Sequence, residues 1–315
     1  MASANQTLQS QMLLGMHSQR QLFVSAQLSH VEDTFLPAPG LSHDDALTYC
    51  RSLRNRRRQR TPAQLPTSEI AKLQIWLQDP LSSLLLARGR GVRTSALDFA
   101  VDLLDAVLEA GYPVVWALPG TISEGEARDV AEGPSLTGIL RSLVLQVLNL
   151  DTRAMSEGVN PVTSQHFRSA TSAEHWFCLL ERCITPLPRL FVVIDMGILE
   201  SALEHDRDSD HGGEQLHIGD VIKRFEQLAQ PGGAGGRVLK IAVISWRFDA
   251  ARVLEAEEVF DADRQIVTDG GRRHERLMRQ PKFRAVFRRQ KGKSMERFRS
   301  MVKGLGDGSR GTEQT

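Results

Sequence analysis

The chain of 315 residues contains only three cysteines. The spacings between Cys50, Cys178 and Cys183 suit neither a metal-ligand set nor a redox pair. So odd and sparse a set fits a reducing compartment rather than a disulfide framework. Aromatic residues make up only 6%. No apolar run approaches the roughly 18 residues of a spanning helix; the longest, such as 190–194, have the length of a strand. The N-terminus MASANQTLQSQMLLGM has no basic start and no continuous apolar stretch, so no secretory signal is read and a cytoplasmic protein is expected. G-x-S-x-G is absent, and no Ser-His-Asp or Cys-His arrangement emerges. These absences argue against secreted disulfide scaffolds, membrane-spanning proteins and the commoner nucleophilic hydrolases. What remains, 41% hydrophobic and 24% charged residues, is the composition of an ordinary globular protein.

Net charge is nearly absent too, at +1, but its distribution is uneven. Residues 51–60 (RSLRNRRRQR) carry six Arg and no acid, and residues 271–303 carry 13 Lys or Arg against two Glu. The rest holds 20 bases and 36 acids. An acidic body is flanked by two basic segments. Phe283, Val286, Phe287, Met295, Phe298, Met301 and Val302 interleave with the tail's bases. That pattern predicts one or two amphipathic basic helices that dock intramolecularly on the acidic body, with an anionic membrane or nucleic acid as the alternatives, and a disordered end after Lys303. The Arg run reads as a solvated linker, with nuclear import or nucleic-acid contact as its functional alternative.

Residues 1–66 read as a helical or disordered N-terminal segment broken by Pro37, Pro39, Pro62 and Pro66, with short helices near 5–28 and 43–55. From residue 67 the pattern changes. Ile70, Leu73, Trp76 and Leu77 recur at helical spacing behind Thr67, and Asp79-Pro80 ends the run. Short apolar runs then alternate with helical patterns. Strands are expected at 82–87, 113–118, 190–194 and 238–245, with a short fifth at 265–268. Helices are expected near 94–110, 136–148, 172–183 and 218–229. Leu97, Val101, Leu104 and Leu108 mark one face of the first of these, and Gly111 its stop. Trp76, Trp116 and Trp176 read as packing residues, and Cys178 and Cys183 as buried thiols on a helix. Apolar strands without polar alternation imply a parallel sheet covered on both faces, a doubly wound, mainly parallel five-stranded α/β domain over 67–270. Residues 271–315 form the basic tail.

In such a sheet ligands sit at the carboxyl ends of the strands. After the first strand comes A87-R-G-R-G-V-R-T94, where a phosphate-binding loop would read G-x-x-x-x-G-K-[ST]. In the best register Ala87 and Val92 replace the two glycines, Arg93 replaces the lysine, and Thr94 keeps the hydroxyl. Gly89 and Gly91 are the candidate phosphate-loop glycines, with a plain strand-to-helix turn as the alternative. The third strand ends in LFVVID at Asp195, a position for a Mg²⁺ ligand or for a cap on the next turn. The fourth ends in Ile244-Ser245-Trp246-Arg247, and Arg247 reads as a phosphate sensor or a surface ion-pair partner.

The helix and strand KLQIWLQDPLSSLLLARG, then LDFAVDLLDAVLEAGYPVVWAL, RLFVVIDM and KIAVISWR, resemble in order the NACHT-type signalling NTPases of the STAND class. The likeness is to the divergent nucleotide-binding domains of large fungal NLR-like proteins, over roughly 68–270. It implies a P-loop NTPase-like three-layer core, ATP or GTP with Mg²⁺ as ligand, and nucleotide-gated assembly through protein partners or self-association. Complete members carry a long C-terminal repeat array and a full effector domain, so a truncated or stand-alone version is expected here. Within that resemblance Gly89, Gly91, Arg93 and Thr94 would hold phosphate, Asp195 Mg²⁺, and Arg247 would sense the nucleotide.

The residues also depart from it. Val92 is β-branched and resists positive φ. Arg93 offers a planar fork in place of a compact ammonium. Met196 stands where a catalytic Glu polarises water. The expectation is a hydrolysis-deficient regulatory or scaffold module, against two alternatives: a noncatalytic interaction module keeping only the fold, and a nucleic-acid binder working through its basic flanks. The stretch EHDRDSDHGGEQLH (204–217) invites a metal reading, but spacings of six put no two of its histidines on one helical face, and its Gly pair predicts a loop.

Overall fold

The computed structural model describes residues 43–60, 67–89, 93–120, 135–156, 161–208, 216–230, 237–246 and 265–268, with residues 26, 28–30 and 300 besides. In chain order the elements begin with α1 (His43–Arg60), α2 (Thr67–Gln78), β1 (Ser83–Gly89), α3 (Arg93–Glu109) and β2 (Val114–Ala117). Then come α4 (Leu136–Leu150), α5 (Arg153–Ser156), α6 (Ser164–Ser169), α7 (Ala173–Ile184) and β3 (Arg189–Asp195). The last are α8 (Met196–Asp208), α9 (Ile218–Ala229), β4 (Val238–Ser245) and β5 (Gln265–Thr268). Two compact units share them: residues 1–39 with 140–187, and residues 40–139 with 188–315.

The larger unit is an α/β fold. Its strands run parallel in the order β2-β3-β4-β1, and the short β5 pairs in parallel with the free edge of β1, from Leu86 opposite Gln265 to Gly89 opposite Thr268. The first four strands are buried nearly end to end, which is why they read as continuous apolar runs. Successive side chains divide between two faces. Leu85, Ala87, Phe191, Val193, Ala242 and Ile244 join one core with Leu47 of α1, Leu73 and Trp76 of α2 and the apolar stripe of α3. On the other face α8 and α9 pack against β1, β3 and β4, burying Leu199, Ala202, Val221, Ile222 and Phe225.

Helix α3 ends where the sequence places its stop. Gly111 sits at φ +75°, its amide bonds to the Leu108 carbonyl at 3.0 Å, and the Tyr112 amide reaches back to Val107 at 3.2 Å. Those two bonds make a Schellman motif, which needs a left-handed residue that glycine adopts without cost. Leu108 itself is 39% exposed, outside the stripe it was expected to continue. Leu97, Val101 and Leu104 of that stripe are buried, together with Ala96, Ala100, Leu103 and Val107.

Three further expectations are corrected. The Arg run is not a solvated linker: it is the second half of α1, and three of its arginines dock on α3. Arg51 binds Asp105, Arg54 bridges Asp102 at 3.0 Å and Asp105 at 2.6 Å, and Arg57 clasps Asp98. Spacings of three on α1 and of four and three on α3 put all six residues along one antiparallel seam. The segment after Asp195, where no helix is expected, forms α8 without an intervening loop. Cys178 is exposed, while Cys183, one turn and a half further on α7, is fully buried.

In the smaller unit, Trp176 and Phe167 form a buried pair with centroids 6.0 Å apart, and the Arg141 guanidinium lies 5.2 Å over the Trp176 ring. The Ser172 hydroxyl accepts from the His175 amide and caps α7. The expected helix over 5–28 and basic tail over 271–303 lie outside the described residues, apart from residues 26, 28 and 300.

Candidate functional site

The order of the strands locates a crevice. From β1 the chain travels through α3 past two strands to β2, whereas from β3 it travels the opposite way, through α8 and α9, to β4. Right-handed crossovers in opposite directions place their helices on opposite faces. The carboxyl ends of β1, β4 and β3 therefore open at a reversal of winding, where α/β sheets bind ligands.

At the end of β1, Gly89 meets the first turn of α3. A Cβ built on Gly89 would lie 2.8 Å from the Ala96 Cβ and 3.3 Å from its amide nitrogen. The glycine is thus required for strand and helix to approach, bringing the start of α3 onto the strand end. Arg93 opens the described part of α3 and is exposed, and Thr94 follows within the helix. Gly91 and Arg247 lie outside the described residues, as does Val92.

Asp195 is the centre of this region. It ends β3 beside Ile244 of β4, is 0% exposed, and neither carboxylate oxygen has a hydrogen-bond partner among the described residues. The amides of Gly197 and Ile198, in the first turn of α8, face it without closing a bond of ordinary geometry. Burial raises its pKa above the usual carboxylate range; the Arg93 charge and those two amides pull the other way and do not prevail. A capping role is part of the answer, because α8 starts immediately behind Asp195, but the cap leaves the carboxylate unsatisfied.

Two neighbours went unnoticed in the sequence. Where Gly197 lacks a Cβ, the missing atom would stand 2.8 Å from Asp195 Oδ1 and 3.2 Å from the Trp246 indole nitrogen. Trp246 follows β4 directly and packs against the core beneath α3. Parallel register could have suggested it: Asp195 pairs with Ile244, and a period of two sends the side chain at 246 to the face that Asp195 shares. The other neighbour is Cys50 of α1. Its thiol donates to the Pro119 carbonyl at 3.5 Å, and its pKa is pushed up to about 11, first by burial and then by the Asp195 charge.

The remaining metal reading resolves differently. Asp206, on α8, accepts a hydrogen bond from the Leu136 amide at 3.0 Å and so caps α4. The His217 amide donates to Asp220 at the start of α9. Among the described residues no group of three His, Cys, Asp or Glu side chains could hold a metal ion, and no helix is long and apolar enough to cross a membrane. Residues 209–215 are outside the described set.

No protein-family model, curated protein or solved structure matches this chain. The site is therefore weighed on its own chemistry. A buried carboxylate with open acceptor sites, within the electrostatic reach of the Arg93 charge and facing two backbone amides, is a group whose chemistry would accept a cation or a proton. The position after Asp195 offers no second acid: Met196 is buried at 1% exposure. No acid therefore stands directly behind Asp195 to act as a base.

Proposed function

We propose that the larger unit is a degenerate nucleotide-binding domain of the NACHT/STAND kind, taking ATP or GTP with Mg²⁺ and acting as a regulatory or scaffold module. In this reading the sheet with its β5 edge strand is a five-stranded P-loop-type sandwich. Gly89, Gly91, Arg93 and Thr94 form the phosphate side. Asp195 holds Mg²⁺ through water, and Arg247 senses the phosphate. The supporting observation is the Asp195 carboxylate, completely buried at a winding reversal with neither oxygen paired among the described residues. Native proteins leave such a group unpaired only rarely, and functional sites are where they do so.

The same residues argue against turnover. Bound Mg²⁺ would neutralise phosphate charge, but Met196 offers no proton acceptor for an attacking water. Arg93 supplies charge without the compact ammonium that reaches into a tight phosphate loop. Binding without hydrolysis suits a module that changes partners or self-associates when its ligand changes. A calorimetric titration with Mg-ATP and Mg-GTP tests this. Saturable heat that disappears in Asp195→Ala supports it; no heat and no thermal shift at millimolar nucleotide would leave a noncatalytic interaction module in its place.

A further inference from the structure

We infer that α1 is a charge-held cover on the Asp195 side of the crevice: its arginine–aspartate seam keeps it closed, and competition for those arginines swings it open about its His43 end without unfolding the domain. The inference goes beyond the nucleotide reading and holds whatever the crevice binds.

Three observations converge. First, α1 sits where such a cover must. Ala117 of β2 pairs with Ile194 of β3, so Pro119 lies just past the level of Asp195, and the Cys50 thiol donates to the Pro119 carbonyl at 3.5 Å. Leu47 and Cys50 share a core with Ile244, the strand partner of Asp195, and Trp246 packs against that core. The Asp195 charge reaches Cys50, where it adds to the burial that keeps the thiol protonated.

Second, the two halves of α1 are attached by different means. Ala46, Leu47 and Cys50 are the buried apolar residues among its described side chains, and all lie in the first half. There the His43 carbonyl also accepts from the Trp116 indole at 3.0 Å. From Arg51 onward the one buried side chain described is Arg54 itself, and the attachment is by charge. Arg51 holds Asp105, Arg54 holds Asp102 and Asp105, and Arg57 holds Asp98.

Third, these charge contacts can be exchanged. The side chains of Arg51 and Arg57 are 38% and 26% exposed, so salt screens them and a dissolved anion can reach them. A guanidinium accepts phosphate or another carboxylate in the same two-pronged way as it accepts aspartate. Apolar packing is not weakened by screening, so the first half stays in place while the second half lifts. Opening draws Cys50 off Pro119 and bares the end of β2 beside Asp195. The thiol then loses its burial and returns toward the ordinary range near ~8.5. Its alkylation therefore reports opening through access and ionisation together.

The test uses the full chain and iodoacetamide at pH 8 in about 0.05 M KCl, with Cys50 alkylation read by peptide mass spectrometry. Asp105→Asn removes the carboxylate that Arg51 and Arg54 share. Cys50 alkylation is expected to become at least 10-fold faster than in the wild type, at a rate that hardly changes in low urea, the mark of local opening. Raising KCl to about 1 M is expected to speed the wild-type reaction by a similar factor, and this arm decides should Asp105→Asn not fold. A merely structural seam would instead speed alkylation only in step with global unfolding, with the full urea dependence of that transition. That result, or alkylation of a folded Asp105→Asn chain within threefold of wild type, overturns the inference. Neither outcome bears on the nucleotide reading, which its own titration decides.

Discussion

Charge is buried in two places in the larger unit, along the seam between α1 and α3 and at the end of β3, and the two treat it in opposite ways. Along the α1 seam, Arg54 at 8% exposure faces Asp102 and Asp105, and Arg57 faces Asp98 at 4% exposure. Each of these charges has an opposite charge in contact; only the Arg54 Nε lacks a partner among the described residues. At the strand ends, Asp195 is more deeply buried and has no such contact. One cluster is complete within the chain, and its work is to fasten α1 to the domain. The other is incomplete within the chain, which is the condition for accepting something from outside.

The largest break in that contrast comes from the seam. Arg54→Ala removes the cation shared by Asp102 and Asp105, of which Asp105 keeps Arg51, and losing one partner of a buried pair costs about 3–5 kcal/mol. Urea denaturation of the variant should show that loss, and a change under 1 kcal/mol would mean the seam is ornamental. Gly89→Ala comes next, because its methyl enters at 2.8 Å from the Ala96 Cβ. Overpacking of this kind costs about 1–3 kcal/mol, and the same denaturation series measures it.

Asp195 should respond with the opposite sign. Burial raises its folded pKa, so the folded chain binds this proton more tightly than the unfolded chain does. The associated stability is full below the ordinary value near ~4 and is lost as pH rises through the raised folded value. Asp195→Asn escapes that loss. In EDTA without nucleotide, the variant is expected to gain on the wild type as pH increases from 4 to 8, by on the order of 1 kcal/mol at the upper end. A difference that stays constant across that range would show that the carboxylate is satisfied after all.

The smallest effect needs no mutation. Burial pushes the Cys50 thiol up to about 11 and the Cys183 thiol up to about 12, whereas Cys178 is exposed. Iodoacetamide at pH 8 should therefore modify Cys178 alone in the native chain, read by peptide mass spectrometry. Modification of Cys50 at a comparable rate would mean that α1 opens from the site region readily, and that its seam does not fasten it.

The sequence exposed the sheet because burial on both faces leaves strands apolar throughout, a pattern independent of what packs on them. LFVVID and VLKIAVIS could be read without knowing their neighbours, and so could Gly111 as a helix stop. Helix α8 was hidden because MGILESALEHDRD mixes its apolar positions with acids, and only contact with β3 and β4 selects the helical face. The seam was hidden for a related reason. Six arginines in ten residues look solvated unless Asp98, Asp102 and Asp105, some forty to fifty residues later, are known to form the opposite row.

The candidate site divides along the same line. Asp195 and the loop after β1 were legible because position at a strand's carboxyl end is a local property. Taken by itself, the sequence determined the order of strands and helices, their continuous burial, and which residues terminate each strand. Only the tertiary structure decided which termini meet: that β4 lies between β3 and β1, that Trp246 comes beside Asp195, and that Gly197 is the space between them. It alone decided which buried charges found partners. Hydrophobic pattern is written residue by residue along the chain, whereas the satisfaction of a polar group depends on what folding brings within about 3 Å of it.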